Sequence, residues 1–255
     1  MNIRRFVSPS CLVWVAALGF LYFYGSPIFG LFYTKWNVRH EAQLWIVPTP
    51  LTNLSVGRST GKKFSYFGYE FESPWTEVKW ERKGENIVVF NFTNGCFISL
   101  TNPSESLDQL QVAQQEARKR GRNIRDVFGD KATRSNYALR STMLHLTPGD
   151  LRLFSSRQEM AGNSVLLILK GIWVTKYTDA IYSVQTNWLH GFEIGDMGSR
   201  VMGKTMEIQL FDEGDREIDV MVGSGPKTTQ PSQEDVNLVV DTLHPVPPST
   251  AADSK

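Results

Sequence analysis

The chain has only two cysteines and four histidines in 255 residues. Two thiols cannot staple a disulfide scaffold, nor form an all-cysteine zinc site, which needs four. His40, His145, His190 and His244 include no pair spaced three or four apart, so helical zinc motifs are missing. An excess of one charge is missing too: 27 Lys and Arg face 26 Asp and Glu, for a net charge of +1. That balance excludes a globally basic nucleic-acid binder and an acidic disordered chain. The string Gly57-Arg58-Ser59-Thr60-Gly61 has the Gly-x-Ser-x-Gly spelling of a nucleophile elbow but lies in a breaker-rich polar stretch. Gly223-Ser224-Gly225-Pro226 and the stretch from Gly57 to Lys63 lack the spacing of a dinucleotide or P-loop fingerprint and read as turns. No cofactor is expected.

What is present is enough for a core: 41% of residues are hydrophobic and 12% aromatic. No charge occurs from Phe6 to Thr34, and the apolar centre, Cys11 to Tyr33, spans 23 residues. As a helix it would run about 34 Å, against about 30 Å of hydrocarbon. The expected order is a short basic leader (1–10), an uncleaved transmembrane anchor (11–33), a basic tether (34–63), a globular domain (64–244) and a disordered tail (245–255). A cleaved signal peptide, leaving a secreted soluble domain, is the rival; no Ala-x-Ala site follows the apolar run. Arg4 and Arg5 on one side nearly balance Lys35 and Arg39 on the other. The short basic leader favours a cytoplasmic N-terminus and an extracytoplasmic domain. Within the tether, Gln43 to Val47 either pairs with the domain or lies at the bilayer interface.

In the domain, Tyr69 to Glu72 alternates as a half-buried strand does. Ile87 to Phe92 and Cys96 to Leu100 make a hairpin. A three-residue loop, Thr93-Asn94-Gly95, pairs Phe90 with Ile98 and Val88 with Leu100, keeping one apolar face and putting Gly95 at the left-handed position. A second hairpin pairs Leu210 with Ile218 around Glu213-Gly214-Asp215. Val165 to Leu169 and Ala180 to Gln185 are further strand candidates. Helices are expected over Ser106 to Arg120, stopped by Gly121; from Thr147-Pro148-Gly149-Asp150 onward; and over Ser232 to Leu243. The class is therefore α+β, a largely antiparallel sheet with packed helices, preceded by one transmembrane helix. The glycine-led strand closing on Pro74-Trp75 (Gly68 to Trp75), the hairpins and the capped C-terminal helix resemble, in element order, the PsbP-like α/β/α sandwich. That resemblance implies an extracytoplasmic binding or assembly module rather than an enzyme.

The most distinctive polar feature is the run Arg118, Lys119, Arg120, Arg122 and Arg125, five cations in eight residues. Such a cluster suits an anionic lipid, a phosphorylated ligand or an acidic protein partner, or else simply complements a helix C-terminus. Interleaved aromatics are missing, so nucleic acid is not an expected partner. The alternative is a membrane-tethered hydrolase or metal enzyme built on His190, Glu193 and Asp196, although on a strand His190 and Glu193 would face opposite ways. Asp212, Glu213, Asp215, Glu217 and Asp219 read as a solvated hairpin end. Cys96 reads as a core residue and Cys11 as a lipid-side thiol, which a cytoplasmic N-terminus would leave open to palmitoylation. Asn53 and Asn91 match the glycosylation sequon. The +1 also hides a split: residues 1–63 carry seven cations and one anion, residues 64–255 carry 20 and 25.

Overall fold

Period-two alternation is plainest in Tyr69–Ser73 and Ile87–Phe92. The computed structural model describes residues 39–51, 61–101, 114–115, 117–119, 121–151, 157–176, 178–195, 205–225 and 228–246. The leader, the expected anchor at 11–33, Asn53 and most of the helix expected over Ser106 to Arg120 lie outside these residues. No helix among the described residues is long and apolar enough to cross a membrane.

The elements in chain order are β1 (Thr49–Pro50), β2 (Lys62–Tyr66), β3 (Tyr69–Ser73), β4 (Val78–Lys83), β5 (Ile87–Phe92), β6 (Cys96–Thr101), α1 (Ile124–Ala132), α2 (Asn136–His145), α3 (Arg157–Trp173), β7 (Ile181–Gln185), β8 (His190–Ile194), β9 (Thr205–Phe211), β10 (Glu217–Ser224), α4 (Gln233–Thr242) and β11 (His244–Pro245). An eight-stranded sheet runs β1-β7-β8-β9-β10-β6-β5-β4, and a three-stranded one runs β11-β3-β2. Every pairing is antiparallel except β1 with β7. The class is α+β, as expected.

Both hairpins take the register that an unbroken apolar face demands: Phe90 opposite Ile98 and Val88 opposite Leu100, Leu210 opposite Ile218 and Met206 opposite Val222. Gly95 has φ +83, and a Cβ there would overlap the Thr228 side chain, so conformation and space both require glycine. One face of the large sheet packs on β2, β3 and α4 through Phe64, Phe71, Phe90, Phe92, Ile208 and Val239. The other, over β7 and β8, packs on α1, α2 and α3 through Leu139, Leu144, Leu166, Phe192 and Ile194.

Four expectations are corrected. Val165 to Leu169 is not a strand but the middle of α3; a short apolar run fits a buried helix as well as a strand, and here helix wins by length. Thr147 and Asp150 do form a capping box, but it closes one 3-10 turn, Pro148–Asp150, and Leu151 is already extended. The tether is partly built into the domain. Ala42–Trp45 forms a 3-10 turn with Leu44 buried, and β1 joins the sheet edge, so Gln43 to Val47 pairs with the domain. At the other end Pro245 still pairs with Tyr69, carrying the domain past 244. The helix at Ser232 to Leu243 is present, with Ser232 and Asp235 forming its capping box.

Candidate functional site

Residues 114–115 and 117–119 are helical, and the chain then turns: Gly121 N–H donates to Arg118 O and Arg122 N–H to Ala117 O, a Schellman closure. This turn folds Arg122 back beside Arg118. With Gln114, Asn123 and Ile124 they line a cleft of about 220 Å3. Two guanidiniums, two amides and one apolar wall are present, and no carboxylate lines it among the described residues. Planar guanidiniums bind carboxylates and phosphates through paired hydrogen bonds, so the cleft suits an anionic group. Of the other cations expected here, Lys119 is exposed, and Arg125 turns toward Asp130 at 3.9 Å. Arg120 lies outside the described residues.

The acidic hairpin is a correction. Only its tip is solvated: Glu213 and Arg216 are exposed, whereas Asp212 and Glu217 are buried and the loop is used internally. Asp212 accepts from Gly214 N, Arg216 N and Arg216 Nε, which closes the loop. Burial opposes its charge, but the bonds from Arg216 outweigh this and hold the carboxyl below its ordinary value. Asp215, at φ +61, caps α2 by accepting from the Asn136 and Tyr137 backbone N–H groups. Glu217 accepts from Arg140 Nη2 at 2.8 Å, and the Arg140 guanidinium lies 3.6 Å from the Trp173 ring centroid. Glu207, Gln209, Glu217 and Asp219 share this face of the sheet. Burial, then the charges of Glu217 and Glu207, push Asp219 up to about 7. Arg140 Nη1, Gln209 Oε1 and Asp219 Oδ1 are buried without a hydrogen-bond partner.

His190 and Glu193 point to opposite faces of β8, as strand geometry requires, and Asp196 lies outside the described residues. His190 packs edge-on against Tyr137 at 4.3 Å and lies beside Phe211, and burial lowers its pKa. Glu193 lies beneath α4, where Gln233 Nε2 donates to its Oε1 at 2.6 Å; burial pushes this carboxyl up to about 7. The structure therefore does not bring these two residues into one site. Among the described residues no group of three His, Cys, Asp or Glu is placed to hold a metal ion. Cys96 is fully buried, and burial raises its thiol to about 11, as suits an inert core residue.

Two buried cations escaped the sequence reading. Lys170 is fully buried, and its Nζ shares its three N–H groups among four carbonyls, Leu44, Ile46, Leu144 and Leu146, at 2.6–3.2 Å. Burial lowers it to about 8, so it stays cationic at neutral pH. Arg140 sits among Leu139, Met143 and Leu144 on the buried stripe of α2. In both cases the available signal was a lone charge inside an apolar helical face. Comparisons of the chain with protein-family models, curated proteins and solved structures return no match.

Proposed function

We infer that this is a single-pass membrane protein whose α+β domain is a non-enzymatic binding or assembly module outside the cytoplasm. Its partner is a protein presenting a carboxylate or phosphate to the Arg118–Arg122 cleft. The observation that carries the reading is the lining of that cleft: among the described residues it is made of guanidiniums, amides and one apolar side chain, groups that recognise an anion. The uncharged stretch from Phe6 to Thr34 supplies the anchor, and the PsbP-like element order points the same way.

The test is cross-linking in intact membranes followed by quantified capture, comparing the native chain with the Arg118→Glu/Arg122→Glu variant. Both side chains are exposed, so the variant folds. The expected result is loss of the captured partner with unchanged membrane retention. Capture of the same proteins in the same amounts by both chains overturns the reading. Reporter fusions at the C-terminus check the orientation: a reporter active only outside the cytoplasm agrees with it, and one active only inside contradicts it.

A further inference from the structure

Helix α3 is inside out. Its 17 residues include three charges, Arg157, Glu159 and Lys170. Lys170 points inward, into the cage of four carbonyls. The outward side carries Ala161, Val165, Ile168 and Ile172, all exposed, with Ile172 at 71% and Ile168 at 50%. At about 100° per residue these four fall within roughly 60° of one another, on the side away from buried Leu166 and Lys170. A helix on a protein surface ordinarily turns charged and polar residues to water. From Ala161 to Trp173 this one turns no charge outward, and half-buried Ser164 borders the stripe.

The chain itself says what covers the stripe. Leu44 seats the segment that follows the uncharged stretch against Leu167 and Gly171, on the flank of α3. Trp45 and Val47 in that segment are exposed as well. The uncharged stretch ends at Thr34, and the 3-10 turn begins at Ala42. From Thr34 to Ala42 the chain takes eight Cα steps and reaches at most about 29 Å. A chain that leaves the bilayer at Thr34 must hold α3 within that distance of the lipid surface, and the caged Lys170 fixes the incoming segment to the helix.

We propose that the Val165–Ile168–Ile172 face of α3, with Trp45 and Val47 beside the entering chain, rests on the lipid surface. The domain then lies on the membrane in one orientation instead of swinging on a tether. The proposal rests on the anchor reading above. A surface helix with an apolar face sinks about 5–10 Å, to the headgroup–acyl boundary, and aromatic rings favour the same level.

The experiment uses the full chain with Cys11→Ser, in phosphatidylcholine vesicles with or without bromine at the top of the acyl chains. A fluorophore is placed at Ile168→Cys, at Ile172→Cys, or at Glu85→Cys on the exposed β4–β5 turn; Cys96 is buried and does not label. The expected result is a roughly twofold or greater loss of fluorescence at positions 168 and 172 and little at 85, as an interfacial depth of about 5–10 Å requires. Protein retained after alkaline washing but unquenched at 168 and 172 overturns this inference and leaves the anchor reading standing. Protein removed by alkaline washing overturns both. Concentration-dependent self-contact of the labels at 172 assigns the stripe to a second copy and also overturns it.

Discussion

The two faces of the eight-stranded sheet handle buried charge differently. The face under α4 is apolar and aromatic, and Glu193 lies in it with one hydrogen-bond donor and one bare oxygen. The face under α2 places Glu207, Glu217 and Asp219 near one another and brings Arg140 down onto Glu217. Removing a charge from water costs several kcal/mol, and a protein meets that cost either by leaving the group neutral or by pairing it. Glu193 follows the first route, as Asp219 does on the other face, and Glu217 follows the second. A lone buried acid makes stability depend on pH, whereas a pair makes it depend on both partners being present.

Breaking the pair should have the largest effect. Arg140→Ala leaves Glu217 buried without its cation and removes the guanidinium from Trp173, so a loss of about 3–5 kcal/mol is expected in denaturant unfolding. Arg140→Leu combined with Glu217→Leu should lose less than the single variant; an equal or greater loss would mean that the ion pair is not what matters there.

The neutral acid comes next. Folded Glu193 takes up its proton near pH 7 and the unfolded chain near 4.5, so between these values the folded state holds more protons. Its contribution therefore falls as pH rises through that window. Glu193→Gln should gain up to about 3 kcal/mol over the native chain at pH 8 and nothing at pH 4. A gain that does not vary with pH would contradict a neutral Glu193.

The loops sharpen the same contrast on a smaller scale. The β5–β6 turn depends on Gly95, and Gly95→Val should cost more than about 1 kcal/mol, because a β-branched side chain resists positive φ and here meets Thr228. The β9–β10 loop supplies a carboxylate to α2, and Asp215→Ala should cost about 1 kcal/mol by leaving the Asn136 and Tyr137 N–H groups without that acceptor, while Ser135 still caps Ala138. Thermal melts check both, and an unchanged melting temperature in either variant counts against the role assigned to that residue.

Alternation made the sheet legible. The registers at Phe90–Ile98 and Leu210–Ile218 follow from keeping apolar side chains on one face, and Gly95 from the loop length that this register leaves. The run Val165 to Leu169 was ambiguous because periodicity weakens when both sides of a helix are apolar, and the cause of that is the outward stripe of α3. The acidic hairpin looked solvated because its counter-charge, Arg140, comes from 77 residues away. Nothing local in Asp215 announces that it caps a helix starting at Asn136. For the site, the density of cations was visible, but which of them converge was not. The reversal at Gly121 brings Arg118 and Arg122 together and leaves Arg125 beside Asp130.

Arg118 and Arg122 are proposed to form one anion-binding cleft. The direct measurement is a titration of the full chain in detergent with inorganic phosphate, followed through the arginine side-chain Nε–H resonances. Saturable shifts confined to Arg118 and Arg122, with Arg125 and Arg216 unmoved, are the predicted result. Equal, unsaturated drift of all the exposed arginines would contradict it.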